Sequence, residues 1–167
     1  MERTGVVTFK GNGLTLLGTP VKAGDKAPDF TVLDKGLAPV KLSDFAGKTK
    51  VISVTPSLDT AVCDAQLRRF NGAAAGLGDN VAVLNVSMDL PFAIGRFCNA
   101  AGIDKVVTAS DHLDASFGMN YGVLIKELRL LTRSVFVIGK DDVVRYVEIV
   151  PEVTNAPDFD KALAAAK

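Results

Sequence analysis

Cysteine is scarce in this chain of 167 residues and occurs only at Cys63 and Cys98. Two cysteines are too few for the disulfide scaffold of a small secreted protein, and a domain of this size buries enough apolar surface to fold without one. A reducing compartment would not preserve a structural bridge in any case. Each cysteine is therefore either a buried apolar residue or a chemically active one.

Other features that would indicate a common class of function are also missing. Histidine occurs once, at His112, which argues against a histidine-activated cysteine hydrolase and against a metal site built on several histidines. The 19 Lys and Arg residues balance 19 Asp and Glu residues, so the zero net charge gives no electrostatic footprint for nucleic acid. We expect no metal, no cofactor, no nucleic-acid partner and no role for His112.

Long apolar runs are absent too. No stretch approaches the roughly 20 residues that a membrane-spanning helix needs, and residues 1–5 lead into an alternating segment rather than a secretory one. We therefore expect a cytoplasmic protein without a membrane partner. Hydrophobic residues make up 48% of the chain and charged residues 23%, which is typical of a soluble globular domain, and the length fits one domain over residues 1–167.

Strand and helix patterns alternate along the chain. Residues 6–10 and 14–17 flank Gly11-Asn12-Gly13 and predict an N-terminal β-hairpin within residues 1–18. Further strands are predicted at 30–33, 39–42, 50–55, 81–87, 105–110, 133–138 and 143–149. Helices are predicted at 60–75, 91–102 and 157–166, with a helical turn near 114–118. This order predicts an α/β fold of three layers with a mixed central sheet.

Cys63 lies in the first turn of the helix predicted over residues 60–75. A thiolate is the reactive form of cysteine, and only about 3% of a free thiol is ionised at neutral pH. The unpaired N–H groups and positive dipole end of a helix N-terminus both favour an anion. With Thr60 as the N-cap, Cys63 occupies the third helical position, close to these groups. The alternative is a small buried residue on one helical stripe with Leu67 and Phe70.

Pro56 and Thr60 precede Cys63 at a spacing that suits a reactive thiol. Pro56 has a rigid φ and no N–H group, so it can shield the sulfur from water. Thr60 can donate its hydroxyl to a thiolate or a peroxide oxygen. Each residue also has a structural explanation, since proline ends strands and threonine caps helices. The motif Pro56-x-x-x-Thr60-x-x-Cys63 resembles the active-site motif of the peroxiredoxins, in which the proline shields, the threonine orients and the cysteine attacks.

Two flanking segments make this resemblance more specific. Residues 54–60 (VTPSLDT) and 89–93 (DLPFA), the latter ahead of Arg96-Phe97-Cys98, are similar to the atypical two-cysteine thiol peroxidase subfamily of peroxiredoxins. The N-terminal hairpin matches that subfamily as well, so the resemblance covers essentially the whole chain. It implies a thioredoxin-like fold with an added hairpin, and a homodimer.

The resemblance also implies a thiol-dependent peroxidase acting on hydrogen peroxide and organic hydroperoxides. Cys63 would become a sulfenic acid, and Cys98 would condense with it to an intrachain disulfide. Thioredoxin or a similar reductant would restore the two thiols. The alternative for Cys98 is a core residue on a stripe with Ile94 and Ala101.

Arg133 is the candidate cation of the site. The resemblance implies that its guanidinium reaches the thiolate and polarises the peroxide, for which a permanent charge and a fork of donors are suited. A solvated arginine at a strand end is the alternative, and Arg96 beside Cys98 is a competing candidate.

Three apolar residues are candidates for the substrate pocket. Met88, Leu90 and Phe92 follow the strand predicted at 81–87, near the expected mouth of the pocket. A ring of apolar side chains there would favour organic hydroperoxides over hydrogen peroxide. Packing in the hydrophobic core explains the apolar character of these residues equally well.

Two other functions could use the same cysteines. A thiol–disulfide oxidoreductase acting on proteins usually carries Cys-x-x-Cys, whereas Cys63 is followed by Asp64-Ala65-Gln66. A redox sensor would be oxidised stoichiometrically, whereas an enzyme consumes peroxide repeatedly in the presence of a reductant.

Overall fold

A computed structural model describes residues 1–167. The strands are β1 Glu2–Phe9, β2 Asn12–Leu17, β3 Thr31–Asp34, β4 Pro39–Lys41, β5 Thr49–Val54, β6 Val81–Ser87, β7 Val107–Ser110, β8 Leu124–Ile125, β9 Leu130–Leu131, β10 Ser134–Ile138 and β11 Val144–Ile149. The helices are α1 Ala61–Leu77, α2 Pro91–Ala101, α3 Ser116–Tyr121 and α4 Phe159–Ala165, with a short 3₁₀ helix at Leu42–Phe45. None of these helices has both the length and the apolar character to cross a membrane.

Seven strands form the central sheet, in the order β11-β10-β5-β6-β7-β3-β4. Strands β5, β6 and β7 are parallel, and their neighbours on both sides are antiparallel. The predicted mixed α/β sheet is therefore confirmed. Because parallel strands end at the same edge of a sheet, the segments that follow β5, β6 and β7 lie beside one another.

The two faces of the sheet bury different residues, as the period of two along a strand requires. Val51, Val83 and Val135 contribute to an apolar cluster with side chains of α1, α2 and α4. Their neighbours on the opposite face, such as Ile52, pack in a second cluster with the aromatic residues of α3. The sheet is thus the middle of three layers.

The N-terminal hairpin is present, but its turn differs from the prediction. Lys10 and Gly11 form the turn with φ of 50° and 81°, and β2 already begins at Asn12. Positive φ at both central residues matches the twist of a two-residue hairpin. The hairpin joins β8 and β9 in a four-stranded sheet, β1-β2-β8-β9. The sequence did not predict these last two strands because two residues show no periodicity.

Other boundaries shift by one or two residues. The predicted strand at 39–42 ends at Lys41, where Asp44 accepts a hydrogen bond from the Lys41 N–H at 2.9 Å and a 3₁₀ turn begins. The strand predicted from residue 105 begins at Val107. Helix α2 starts at Pro91 and ends before Gly102, whose φ of 67° is left-handed, as expected for a glycine that ends a helix.

Asp111 caps helix α3 from a distance. Its carboxylate accepts hydrogen bonds from the N–H groups of Phe117 at 3.0 Å and Gly118 at 2.8 Å. The residue directly before the helix, Ala115, has no side chain that could do so. Burial raises the pKa of Asp111 to about 6, and the two N–H groups only partly offset this effect.

We predict that Asp111 makes the protein less stable as the pH rises. A carboxyl group whose pKa is raised on folding stabilises the folded state fully below its unfolded pKa, and this contribution is lost as the pH rises through about 6. Relative to Asp111→Asn, the free energy of unfolding of the wild type should fall by about 2 kcal/mol between pH 4.5 and pH 7. Urea unfolding at the two pH values measures this difference, and parallel changes in both proteins would contradict it.

Candidate active site

The loop between β5 and α1 presents Cys63 at the carboxyl edge of the central sheet. Thr60 has extended backbone angles, and helix α1 begins at Ala61, so Cys63 holds the predicted third helical position. Its side chain is 0% exposed. Cys63 therefore lies in the first turn of the helix, and its side chain is shielded from bulk water.

Arg133 is the cation next to this sulfur. It is 2% exposed, and its Nη2 donates to Cys63 Sγ at 3.2 Å. Its Nη1 donates to Gln66 Oε1 at 2.9 Å, and its Nε donates to the Val153 carbonyl at 2.7 Å. These three contacts point in different directions, so they fix the plane of the guanidinium and direct Nη2 toward the sulfur.

Gln66 is a site residue that the sequence analysis missed. It lies one turn after Cys63 on the buried face of α1 and is 0% exposed. Its Nε2 donates to Ser53 Oγ at 2.8 Å and to the Val54 carbonyl at 3.3 Å. The amide therefore connects Arg133 to strand β5.

The polar contacts continue beneath the helix. Ser53 Oγ donates to Asn85 Oδ1 at 2.9 Å, and Asn85 Nδ2 donates to Thr55 Oγ1 at 3.1 Å. All of these groups are buried, and buried polar groups are costly unless they are hydrogen-bonded. Polar residues inside otherwise apolar strands were the signal in the sequence that could have indicated this network.

Pro56 and Thr60 lie at a cleft beside the buried sulfur. Its volume is about 450 Å³, and its lining residues are Phe9, Lys10, Pro56, Thr60, Ala61, Val62, Arg133, Val153 and Thr154. Pro56 is buried and Thr60 is exposed. The structure thus brings Pro56, Thr60 and Arg133 to one cleft, and Arg133 also contacts Cys63.

The side chain of Thr60 does not cap helix α1, contrary to the capping role considered from the sequence. Its hydroxyl instead donates to the Ser57 carbonyl at 3.0 Å. The tight turn from Ser57 to Thr60 explains the difference, because it places that carbonyl within reach of the hydroxyl.

Cys98 is held in different surroundings from Cys63. It lies on α2, is 3% exposed and belongs to the apolar cluster that includes Leu67 and Ile94. Its one polar neighbour is Thr108, whose Oγ1 lies 3.4 Å from Sγ. Both cysteines are free, so the structure represents the dithiol form.

The structure does not bring Met88, Leu90 and Phe92 to the cleft. Met88 packs against the core cluster on the opposite face of the sheet, whereas Leu90 and Phe92 are 55% and 70% exposed. The buried stripe of α2 runs through Pro91 and Ile94, which leaves Phe92 on the outer side. The apolar lining of the cleft comes from other residues, namely Phe9, Val62 and Val153.

Two further residues considered from the sequence lie outside the site. Arg96 is exposed, and the arginine that contacts Cys63 is Arg133. His112 is half-buried, and its backbone N–H donates to Ser110 Oγ at 3.3 Å.

Comparison with known proteins gives consistent matches. The Redoxin family model matches residues 22–163. The chain is 61% identical to the thiol peroxidase of Halalkalibacterium halodurans and 58% identical to that of Bacillus subtilis, in each case over 161 residues that make up 96% of both chains. A peroxiredoxin-like protein from Aquifex aeolicus has a TM-score of 0.91 at 41% identity, covering 98% of this chain and 95% of that chain.

A thiol peroxidase from Chromobacterium violaceum, at 22% identity and a TM-score of 0.83, covers 93% of this chain and 91% of its own and supports the fold. The chain belongs to the Redoxin family, among the peroxiredoxins of the thiol-peroxidase type. The family and the thioredoxin-like fold that the sequence motifs implied are both confirmed.

We predict that Arg133→Ala slows the reduction of peroxide by the dithiol enzyme. A hydrogen bond to a charged group contributes about 1.5–3 kcal/mol, so its loss should lower the second-order rate constant by roughly one to two orders of magnitude. Rapid mixing with hydrogen peroxide measures this rate. Arg96→Ala removes an exposed arginine and serves as the control, and similar rates in the two variants would contradict the role of Arg133.

Proposed function

We propose that this protein reduces hydrogen peroxide and organic hydroperoxides at Cys63, with electrons supplied by an external thiol. As a peroxiredoxin of the thiol-peroxidase type it is an enzyme. The observation that supports Cys63 as its reactive residue is the contact of 3.2 Å between Arg133 Nη2 and Sγ at the N-terminus of α1. A buried cation and a helix N-terminus both favour a thiolate.

In the first step the thiolate attacks one peroxide oxygen. An S–O bond forms as the O–O bond breaks, and the departing oxygen takes up a proton to leave as water or an alcohol. Sulfur is oxidised by two electrons to a sulfenic acid. The guanidinium of Arg133 stabilises the charge that develops on the departing oxygen. The Thr60 hydroxyl donates its proton to the Ser57 carbonyl, so it orients the peroxide by accepting a hydrogen bond from it. Pro56 keeps water from the sulfur.

In the second step the Cys98 thiol condenses with the sulfenic acid. An S–S bond forms and water leaves, which protects Cys63 from further oxidation. A dithiol reductant, thioredoxin or a similar protein, then returns two electrons and two protons by thiol–disulfide exchange. This cycle requires a reducing compartment, which supports a cytoplasmic location.

The cleft supports activity on organic hydroperoxides as well as hydrogen peroxide. Phe9, Val62 and Val153 give it an apolar lining that an alkyl or aryl group can contact. Phe9 comes from the hairpin, and Glu152 ties the hairpin to the rest of the chain by accepting hydrogen bonds from Thr8 Oγ1 at 3.1 Å and the Gly11 N–H at 2.9 Å. We therefore propose that residues 1–167 form one catalytic domain in which the hairpin of residues 1–18 completes the cleft.

The exposed apolar residues near the site support a homodimer. Leu90 and Phe92 follow β6, and Leu113, which is 63% exposed, follows β7. Because β6 and β7 are parallel, these side chains lie at the same edge of the sheet as the cleft. Grouped exposed apolar residues are typical of protein interfaces.

We predict that the two cysteines fail in different ways when replaced. Cys63→Ser should abolish peroxide consumption because the sulfur that is oxidised is gone. Cys98→Ser should permit one oxidation and then stall at the sulfenic acid or a higher oxidation state, because its sulfenic acid has no partner in the chain. A thioredoxin-coupled assay and mass spectrometry of the oxidised protein measure both results, and repeated turnover by Cys63→Ser would rule out the assignment.

We predict that the oxidised protein carries its disulfide within one chain. Non-reducing electrophoresis should show no covalent dimer, because Cys63 and Cys98 pair with each other. Hydrogen exchange should lose protection on oxidation at residues 58–66, residues 93–102 or both, since local opening costs less than global unfolding. A dimer linked through Cys63, or identical exchange in both redox forms, would contradict the intrachain mechanism.

A further inference from the structure

The Asp89 carboxylate joins the loop before α1 to the end of β6. Its Oδ1 accepts a hydrogen bond from the Ser57 hydroxyl at 2.7 Å. Its Oδ2 accepts one from the Leu58 N–H at 2.8 Å and one from the Ser87 hydroxyl, also at 2.8 Å. The side chain is half-buried, and an ionised carboxylate can accept all three bonds because it has only acceptor sites.

On the loop side, these bonds continue to the turn that contains Cys63. The Ser57 carbonyl accepts from the Thr60 N–H at 3.2 Å and from its hydroxyl at 3.0 Å. The Thr60 carbonyl in turn accepts from the Asp64 N–H at 3.0 Å, which is the first hydrogen bond of helix α1. Asp89 is thus connected through Ser57 and Thr60 to the first turn around the reactive sulfur.

On the opposite side, Asp89 is anchored next to the helix that carries Cys98. Its backbone carbonyl accepts a hydrogen bond from Ser110 Oγ at the end of β7. The next residue, Leu90, provides the carbonyl that accepts the Ile94 N–H at 3.0 Å and begins α2. One aspartate therefore connects the loop that leads to Cys63, through its carboxylate, with the start of the helix that carries Cys98, through its backbone.

We propose that Asp89 is a positioning residue of the catalytic cycle, an inference that rests on the proposed function. Its carboxylate holds residues 57–60 against β6 while Cys63 reduces peroxide, and its release accompanies the opening that forms the disulfide. Cys63 contacts Arg133, and Cys98 packs in its apolar cluster next to Thr108. A bond between the two sulfurs requires at least one of them to leave these neighbours. The segments next to Asp89 are the short connections that lead into the helices of the two cysteines.

The variant Asp89→Asn tests this role because it keeps the size of the side chain and removes acceptor sites. Oxidation of Cys63 should slow roughly tenfold or more, as expected for a lost hydrogen bond to a charged group. Condensation of the sulfenic acid with Cys98 should be unchanged or faster, because the loop is already released. More peroxide should then be needed to drive Cys63 to the sulfinic acid.

Rapid quenching followed by mass spectrometry separates these steps by counting thiol, sulfenic, disulfide and sulfinic forms over time. Asp59→Asn is the matched control, because Asp59 is an exposed aspartate on the same loop and its replacement should leave both rates unchanged. Ser57→Ala removes one donor to Asp89 and should change the two rates in the same directions by smaller factors. In a double-mutant cycle with Asp89→Asn its effect should not be additive.

Equal slowing of both steps in Asp89→Asn and Ser57→Ala would overturn the proposal, since that pattern indicates general damage to the fold. Rates like those of Asp59→Asn would overturn it as well. If Asp89→Asn does not fold, Ser57→Ala alone gives the ratio of the two rates. A wild-type protein that forms no sulfenic acid at Cys63 would instead contradict the proposed function itself.

Discussion

Arg133 is buried with 2% of its surface exposed, and none of the ion pairs in the chain includes it. Its partners are the Val153 carbonyl, the Gln66 amide oxygen and the Cys63 sulfur. Among these only the sulfur can become an anion. Burying a charge destabilises the folded protein unless another charge compensates it. The guanidinium and the thiolate therefore each reduce the free-energy cost of burying the other.

This pairing requires three distant segments to meet. Arg133 precedes β10, whose first residue, Ser134, pairs with Val54 of β5 and with Ile149 of β11. That register brings the arginine to the carboxyl end of β5, where the chain turns into α1. The loop after β11 supplies Val153, and the hairpin is held against the same loop by Glu152. The central sheet therefore acts as the frame that fixes the distance between cation and sulfur.

Prediction from the sequence was best where structure depends on neighbouring residues. The start of α2 at Pro91 and its end before Gly102 follow from the conformations that proline and glycine favour. Strand β6 has the predicted bounds. Strands β8 and β9 were missed because segments of two residues show no periodicity, and because β8 pairs with β2 of the hairpin, which lies more than 100 positions away. The contact between Gln66 and Arg133 was missed because the two residues lie far apart in the sequence.

The sequence by itself determined the local chemistry: a cysteine at the third position of a helix, preceded by a threonine and a proline at fixed spacing, with a second cysteine on a later helix. Tertiary structure decided that Arg133 rather than Arg96 contacts the sulfur, and that Phe9, Val62 and Val153 line the cleft. Helix starts and turns are set by residues within a few positions of one another. Contacts across the site depend instead on strand order and register, which join residues that are far apart in the chain.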